Sequence, residues 1–162
     1  MTILGIDPGL ATVGYGALRY EGGRFITLGY GVLTTPAGME TPERIEMLFD
    51  GVNALIDAHS PADMAIEELF FNTNQKTVID VCQARGAILL CARRRRLGIY
   101  GYTPLQVKQA VVGYGRAEKN QVMVMVKNLL RLDKLPRPDD AADALALAIC
   151  HAHSKRVGSL GK

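Results

Sequence analysis

The sequence predicts an α/β domain in which a mixed five-stranded sheet is flanked by helices. Two kinds of segment carry this prediction. Short apolar or alternating segments bounded by Gly and Pro are typical of strands. Longer segments with apolar residues every three to four positions are typical of helices. The resulting order is βββαβαβααα, which favours a layered domain with helices packed on a sheet.

The first three strands are predicted over Thr2–Ile6, Gly14–Tyr20 and Arg24–Thr34. Asp7-Pro8-Gly9 stops the first strand, and Glu21-Gly22-Gly23 separates the second from the third. A short glycine-rich turn between two such segments is typical of a hairpin. We therefore expect these strands to form an antiparallel meander.

The middle of the chain alternates between helix and strand. The first helix is predicted from Thr41 to about His59, because Thr41-Pro42-Glu43 supplies the cap, the early proline and the early acid of a helix start. After it we expect a buried strand over Met64–Glu67, a long helix from Thr77 to about Arg94 and a strand over Leu97–Tyr102.

Three helices complete the predicted fold. The first begins at Thr103-Pro104 and ends near Val112, the second spans Lys119–Leu130, and the third runs from Asp139 to about His153. We expect one domain over residues 1–162, with a disordered tail of about eight residues.

Composition excludes several classes of protein. A chain of 162 residues buries roughly 70% of its unfolded surface, so it needs no disulfide to fold. With 48% hydrophobic and 22% charged residues, the composition argues against a disordered or fibrous chain. There is no apolar stretch long enough to span a bilayer and no signal-peptide pattern. The three cysteines form no CxxC pair, so we expect reduced thiols and a cytoplasmic location.

Charge is divided unevenly along the chain. Residues 1–84 contain 4 Lys and Arg against 11 Asp and Glu, whereas residues 85–162 contain 15 against 5. Such asymmetry suggests a polyanionic partner, nucleic acid above all, on the basic side. The alternative is that the later helices simply carry more solvated Lys and Arg.

Acidic side chains end two of the predicted strands. Asp7 ends the first strand and shares a face of the pleat with Gly5, and Glu67 ends the fourth and shares a face with Ala65. Asp7 alone would also suit an Asp-Pro-Gly turn. An acid at the end of a buried strand, however, must face solvent, a partner cation or a metal.

Two further acids lie early in the last helix. Asp140 and Asp143 are three residues apart, so they project from neighbouring positions on one face. First-turn acids also stabilise the helix dipole and cap free N–H groups, and we assign Asp139 to that role. Asp143 lies deeper among Ala and Leu, where a carboxylate requires a cation.

Oxygen ligands of this kind suit Mg²⁺ or Mn²⁺ better than zinc. The sequence has no His/Cys cluster with zinc spacing, no P-loop, no GxGxxG and no GxSxG. Together with the basic second half, the acids predict metal-assisted chemistry on phosphate. In such chemistry two ions ~3.5–4 Å apart activate a water and stabilise the leaving oxygen.

Five segments of the chain resemble the RuvC family of Holliday-junction resolvases. They are ILGIDPGLATVGYG, AIEELFF, QARGAILL, PLQVKQAVVGYGRAEKNQV and DDAADALALAICHAH, in the family's order and over nearly the whole chain. The resemblance implies an RNase H-like fold and a homodimer that makes paired nicks in four-way DNA junctions during recombination and repair. It also implies two Mg²⁺ per subunit, with Mn²⁺ as a substitute, and partnership with the RuvA–RuvB branch-migration complex.

The resemblance also implies which acids are catalytic and bind metal. They are Asp7, Glu67, Asp140 and Asp143. Glu68 is a neighbouring candidate, but strand parity and the motif both favour Glu67. Our hypothesis is a one-step inline hydrolysis on this set, in which Asp7, central on the sheet, bridges the two ions.

Contacts with DNA are implied at Lys108, Lys119 and Phe70. The two lysines match family positions near the scissile phosphate, and Phe70 matches an aromatic platform for a base at the junction centre. Phe71 is the alternative for that platform. Arg93–Arg96 either contact DNA or simply end a helix, where cations are favourable.

Three other functions fit parts of the pattern. A junction-binding module with a decayed site would lack some of the acids. An actin-like or sugar-kinase ATPase shares an Asp-x-Gly after its first strand but needs a second domain. An RNase H-like nuclease acting on RNA–DNA hybrids would differ only in its substrate.

Overall fold

The computed structural model describes the backbone of residues 1–69 and 75–160 and the side chains of residues 1–69 and 78–155. The strands of the described residues are β1 (Thr2–Asp7), β2 (Thr12–Glu21), β3 (Arg24–Thr34), β4 (Asp63–Glu67) and β5 (Gly98–Tyr102). The helices are α1 (Thr41–His59), α2 (Gln75–Arg94), α3 (Pro104–Val112), α4 (Lys119–Leu130) and α5 (Asp139–Leu160).

The strands form a mixed sheet in the order β3-β2-β1-β4-β5. β1, β2 and β3 are antiparallel neighbours, which confirms the predicted meander. The turn between β2 and β3 places Gly22 and Gly23 at positive φ, where glycine is free of Cβ strain. β4 pairs with β1 in parallel, and β5 pairs with β4 in parallel. β1 is therefore the central strand.

Helices cover both faces of the sheet because side chains alternate along each strand. Leu4 and Ile6 of β1 face the layer of α1 and α2, together with Met64 of β4. Ile3 and Ala65 lie on the opposite face, in the core formed by α3, α4 and α5. The sheet is thus buried between two helical layers, as the sequence predicts.

α5 lies closer to the sheet than the other helices do. It is buried from Ala144 to Ala152 and packs mainly against β1 and β2. A Cβ built on Gly5 would lie 2.0 Å from the carbonyl oxygen of Ala144. Only glycine at this position lets the alanine-rich helix lie directly on the central strand.

The ends of three helices can be compared with their predictions. Thr103 caps α3 as predicted, accepting a hydrogen bond from the backbone N–H of Gln106 at 3.1 Å. α1 differs, because the Glu40 carbonyl accepts the first helical hydrogen bond, from Arg44. Glu40, not Thr41, is therefore its N-cap. α5 ends at Leu160 rather than near His153, and the disordered tail stays a prediction.

No helix in the described ranges combines the length and the apolar character that a membrane crossing requires.

Candidate active site

The parallel pairing of β1 and β4 brings Asp7 and Glu67 to one edge of the sheet. The register pairs Ile6 with Ile66, so the next residue in each strand is the acid. Both carboxylates follow a small residue on the face that α5 covers, Gly5 in one strand and Ala65 in the other. The two side chains are thus neighbours at the strand ends.

α5 adds Asp140 at the same edge. Asp7 of β1 pairs with Gly14 of the neighbouring strand β2. A Cβ built on Gly14 would lie 2.0 Å from the carbonyl oxygen of Asp140 and 3.0 Å from its Cβ. The absence of a side chain at Gly14 therefore lets the first turn of α5 reach the strand beside Asp7.

The four acids influence one another electrostatically. Burial raises the pKa of Asp7 to about 8, and the nearby charges of Glu67, Asp143 and Asp140 add to this effect. Burial and the charge of Asp143 also raise the pKa of Glu67, although a hydrogen bond from Asp7 opposes them. Four carboxylates from three separate parts of the chain therefore share a region with excess negative charge.

Lys119, at the start of α4, supplies a positive charge to this region. Its Nζ lies 3.2 Å from Oδ2 of Asp143 and 3.6 Å from Oδ2 of Asp139. Partial burial lowers the pKa of Lys119, but these carboxylates raise it above its usual value. Burial raises the pKa of Asp143, while Lys119 lowers it. Asp139, assigned to helix capping from the sequence, is also paired with Arg137 at 2.6 Å.

Lys108, on α3, also lies beside the acids. Lys108, Lys119, Glu67 and Asp143 together line one cavity of about 230 Å³. α3 begins directly after β5, and its Thr103 cap fixes the direction in which the helix leaves the sheet. Both lysines singled out in the sequence thus line one cavity together with two of the acids.

The acids provide oxygen ligands only, the type that Mg²⁺ and Mn²⁺ prefer. Among the described residues, no group of three or more His, Cys, Asp or Glu side chains could hold a metal ion in its present arrangement. The ammonium of Lys119 lies against Asp143 instead. The donor chemistry and the excess negative charge fit a divalent cation, but the carboxylates would have to turn toward it.

Other candidates lie elsewhere or outside the described residues. Glu68 is exposed, and its side chain lies beside Gly101 of β5. Phe70 and Phe71 are outside the described residues. Arg93–Arg96 are exposed at the end of α2.

One contact of the site was missed in the sequence. The Nε of Arg85, on α2, donates a hydrogen bond to the carbonyl oxygen of Glu67 at 3.1 Å. This bond holds the end of β4 from the face opposite α5. The signal in the sequence is weak: an arginine between the small residues Ala84 and Gly86 of a predicted helix.

A buried polar network, also missed, lies farther along α5. The Tyr102 hydroxyl is 2.7 Å from Nδ1 of His151, and Nε2 of His151 is 3.0 Å from Oδ2 of Asp63. Lys155 donates to the same Asp63 oxygen at 2.6 Å. The network ties α5 to β4 and β5, and so fixes where the acids of α5 lie along the sheet.

Comparison with known proteins identifies relatives of the whole fold. The family model for crossover junction endodeoxyribonuclease RuvC matches residues 3–151. A protein of Alkaliphilus oremlandii named crossover junction endodeoxyribonuclease RuvC is 58% identical over 154 residues, which cover 95% of this chain and 94% of the relative.

Solved structures give the same result. The structure of Thermus thermophilus RuvC is 36% identical, with a TM-score of 0.91 and coverage of 98% of this chain and 97% of that one. T. thermophilus RuvC in complex with a Holliday junction substrate matches with a TM-score of 0.94, at the same identity and coverage. The predicted RNase H-like fold is confirmed by these matches.

Proposed function

The chain belongs to the RuvC family of crossover junction endodeoxyribonucleases, and we propose that it cuts four-way DNA junctions by hydrolysing phosphodiester bonds. The observation that carries the proposal is the approach of Asp7, Glu67, Asp140 and Asp143 beside two lysines. The acids come from two strands and a helix. At the ends of those strands, lysines from the basic second half of the chain lie beside the acids.

RuvC enzymes are metal-dependent nucleases, and the four acids are the residues that would hold two Mg²⁺ ions in this chain. Oxygen donors and excess negative charge at Asp7 support this assignment. Once bound, the ions supply an activated water and stabilise the leaving 3′ oxygen. Mn²⁺ has the same ligand preference and would substitute.

The chain's own residues bind and orient the DNA strand. Lys119 and Lys108 line the cavity beside the acids, where an ammonium group would hold the scissile phosphate and offset its charge. Lys119 is more than half exposed, so it can exchange its carboxylate partners for a phosphate oxygen. Glu67 is held in place through its backbone by Arg85.

Phe70 is proposed to stack on a base at the junction centre, since stacking is worth ~1–3 kcal/mol per base. Comparison of Phe70→Ala with Phe71→Ala tests this role. Loss of junction cutting only in the first variant supports it, whereas full activity in the Phe70 variant refutes it.

We also propose that the chain acts as a homodimer, because paired nicks in a two-fold junction need two sites. Ile79 and Leu90 of α2 are exposed apolar residues separated by three helical turns, and they give one face on which a second copy could pack. Sedimentation of the protein alone tests the dimer.

The RuvA–RuvB complex is the proposed partner in branch migration, and the bacterial cytoplasm is the proposed location.

The decisive experiment is the nicking of a synthetic four-way junction, with mapped cut sites, in the presence and absence of Mg²⁺. We expect symmetric nicks in two opposing strands only with the metal. Linear DNA duplex and RNA–DNA hybrid of the same sequence serve as controls. Preferential cutting of the hybrid would favour the related nuclease class, and junction binding without cutting would favour a binding module.

A further inference from the structure

The cavity between the acids and the lysines has two chemically different parts. Its rim is charged and consists of Glu67, Asp143, Lys108 and Lys119. Its volume of about 230 Å³ is several times the ~30 Å³ that a water molecule occupies in the liquid. The cavity therefore has room for a group of the size of a small ring.

The floor of the cavity is apolar. The other described lining residues are all apolar, and they are the exposed Pro104 and half-buried Val107 of α3, Val122 of α4, and Ala146 and Leu147 of α5. Val122, Ala146 and Leu147 are buried. No Ser, Thr, Asn, Gln or Tyr belongs to the described lining, so the floor offers no side-chain hydrogen bond to a hydroxyl group.

The rim limits what can occupy this floor. The two lysines favour a phosphate group, and the acids are the proposed metal ligands. A group that occupies the apolar floor must therefore be attached to a phosphate that reaches the lysines and the metal ligands. In a DNA strand, the group attached to the scissile phosphate is the sugar of a nucleotide next to the cut. A deoxyribose ring presents C–H groups at its 2′ carbon, which match an apolar floor.

We infer that this floor receives the deoxyribose of a nucleotide flanking the cut and that Val107, Val122 and Leu147 thereby select DNA over RNA at that nucleotide. The inference rests on the proposed function. A 2′-hydroxyl against these side chains would leave water without gaining a partner, and burying an unpaired hydroxyl is costly. The cost corresponds to a roughly 10- to 100-fold slower reaction.

The test uses synthetic junctions that carry one ribonucleotide on either side of the cut in one strand only. Single-turnover cleavage should slow by roughly 10- to 100-fold for one of the two positions. The all-deoxy strand of the same junction is the internal control. If that strand is not cut, the proposed function fails; if both strands are cut equally at both positions, only the sugar selection fails.

Two further comparisons separate the apolar floor from other causes. A 2′-fluoro nucleotide shares the ring pucker of ribose but lacks its hydroxyl, so it should be cut like DNA; slow cutting would assign the selection to pucker and overturn the inference. Val122→Thr supplies a hydroxyl partner and should narrow the DNA-to-RNA rate ratio by roughly 2- to 10-fold. Val124→Thr, on the exposed side of α4, should leave the ratio unchanged.

Discussion

Lys119 and Asp143 form an ion pair at 3.2 Å that joins the start of α4 to the second turn of α5. The lysine side chain is 56% exposed and the aspartate 37%. Exposed ion pairs contribute only about 0–1 kcal/mol to stability. The pair therefore contributes little to the fold, and Lys119 is available to bind a phosphate.

Lys119→Ala should weaken junction binding and slow cleavage while leaving thermal stability nearly unchanged. Loss of one phosphate contact should reduce the salt-dependence slope of log K by about 0.9. Fluorescence anisotropy across a salt series measures this slope, and Lys108→Ala should behave similarly. Lys127→Ala, at the other end of α4, is the matched control. An unchanged slope and rate in the Lys119 variant would remove it from the phosphate contact.

Asp7→Asn should retain junction binding but lose cleavage in Mg²⁺. The substitution keeps the side-chain volume and removes the charge at the central strand. Cleavage should fall on the order of 10²–10³-fold, as when one transition-state electrostatic group is lost. A gel assay with saturating protein separates binding from cutting. Asp50→Asn, on α1 at the other face of the sheet, should cut normally; a cutting Asp7 variant would refute its role in metal binding.

Gly14→Ala should damage both stability and cleavage. The new Cβ would lie 2.0 Å from the carbonyl oxygen of Asp140 and displace the first turn of α5. Overpacking of this kind typically costs about 1–3 kcal/mol. Urea unfolding measures the loss, and the cleavage rate reports the displaced acid. Gly38→Ala is the control, because a Cβ there meets nothing within 4 Å. Equal stability of the two variants would contradict the close helix contact.

The network around His151 predicts how stability depends on pH. Burial lowers the pKa of His151, although Asp63 opposes this effect. Burial alone would raise the pKa of Asp63, but hydrogen bonds from Lys155 and His151 lower it. These two pKa shifts together indicate a neutral His151 imidazole. It accepts a hydrogen bond from the Tyr102 hydroxyl and donates one to the ionised carboxylate of Asp63.

As pH falls below the usual histidine pKa of 6.5, the unfolded chain takes up a proton at His151 before the folded chain does. The free energy of unfolding should therefore decrease, by at most about 1.4 kcal/mol per pH unit for this group. Urea unfolding between about pH 5 and 8 tests this slope. His151→Gln should remove this component, and His59→Gln should retain it. The raised pKa values of Asp7, Glu67 and Asp143 act in the opposite direction, so the comparison with the His151 variant decides the test. A His151→Gln variant with the same pH dependence of stability as the wild type would exclude a neutral buried His151.

Much of the fold could be predicted because local patterns and tertiary packing agree. The meander follows from two glycines between alternating segments, and α3 follows from a Thr-Pro cap that the structure realises as a capping box. The N-cap of α1 was missed by one residue, because backbone hydrogen bonding and not the Thr41 side chain sets that end. The length of α5 was underestimated, since its apolar pattern weakens after His153.

The chemical groups available to this protein follow from local sequence patterns: four acids at the ends of two strands and the start of one helix, and lysines in a basic second half. Strand ends and helix starts are local features, so their side chains can be assigned from spacing. The convergence of these groups in space, by contrast, depends on long-range packing. The parallel pairing of β1 and β4 and the glycine contacts under α5 bring them together. Arg85 and the Asp63–His151 contact depend on residues 18 and 88 positions apart, and no local pattern specifies such distant pairs.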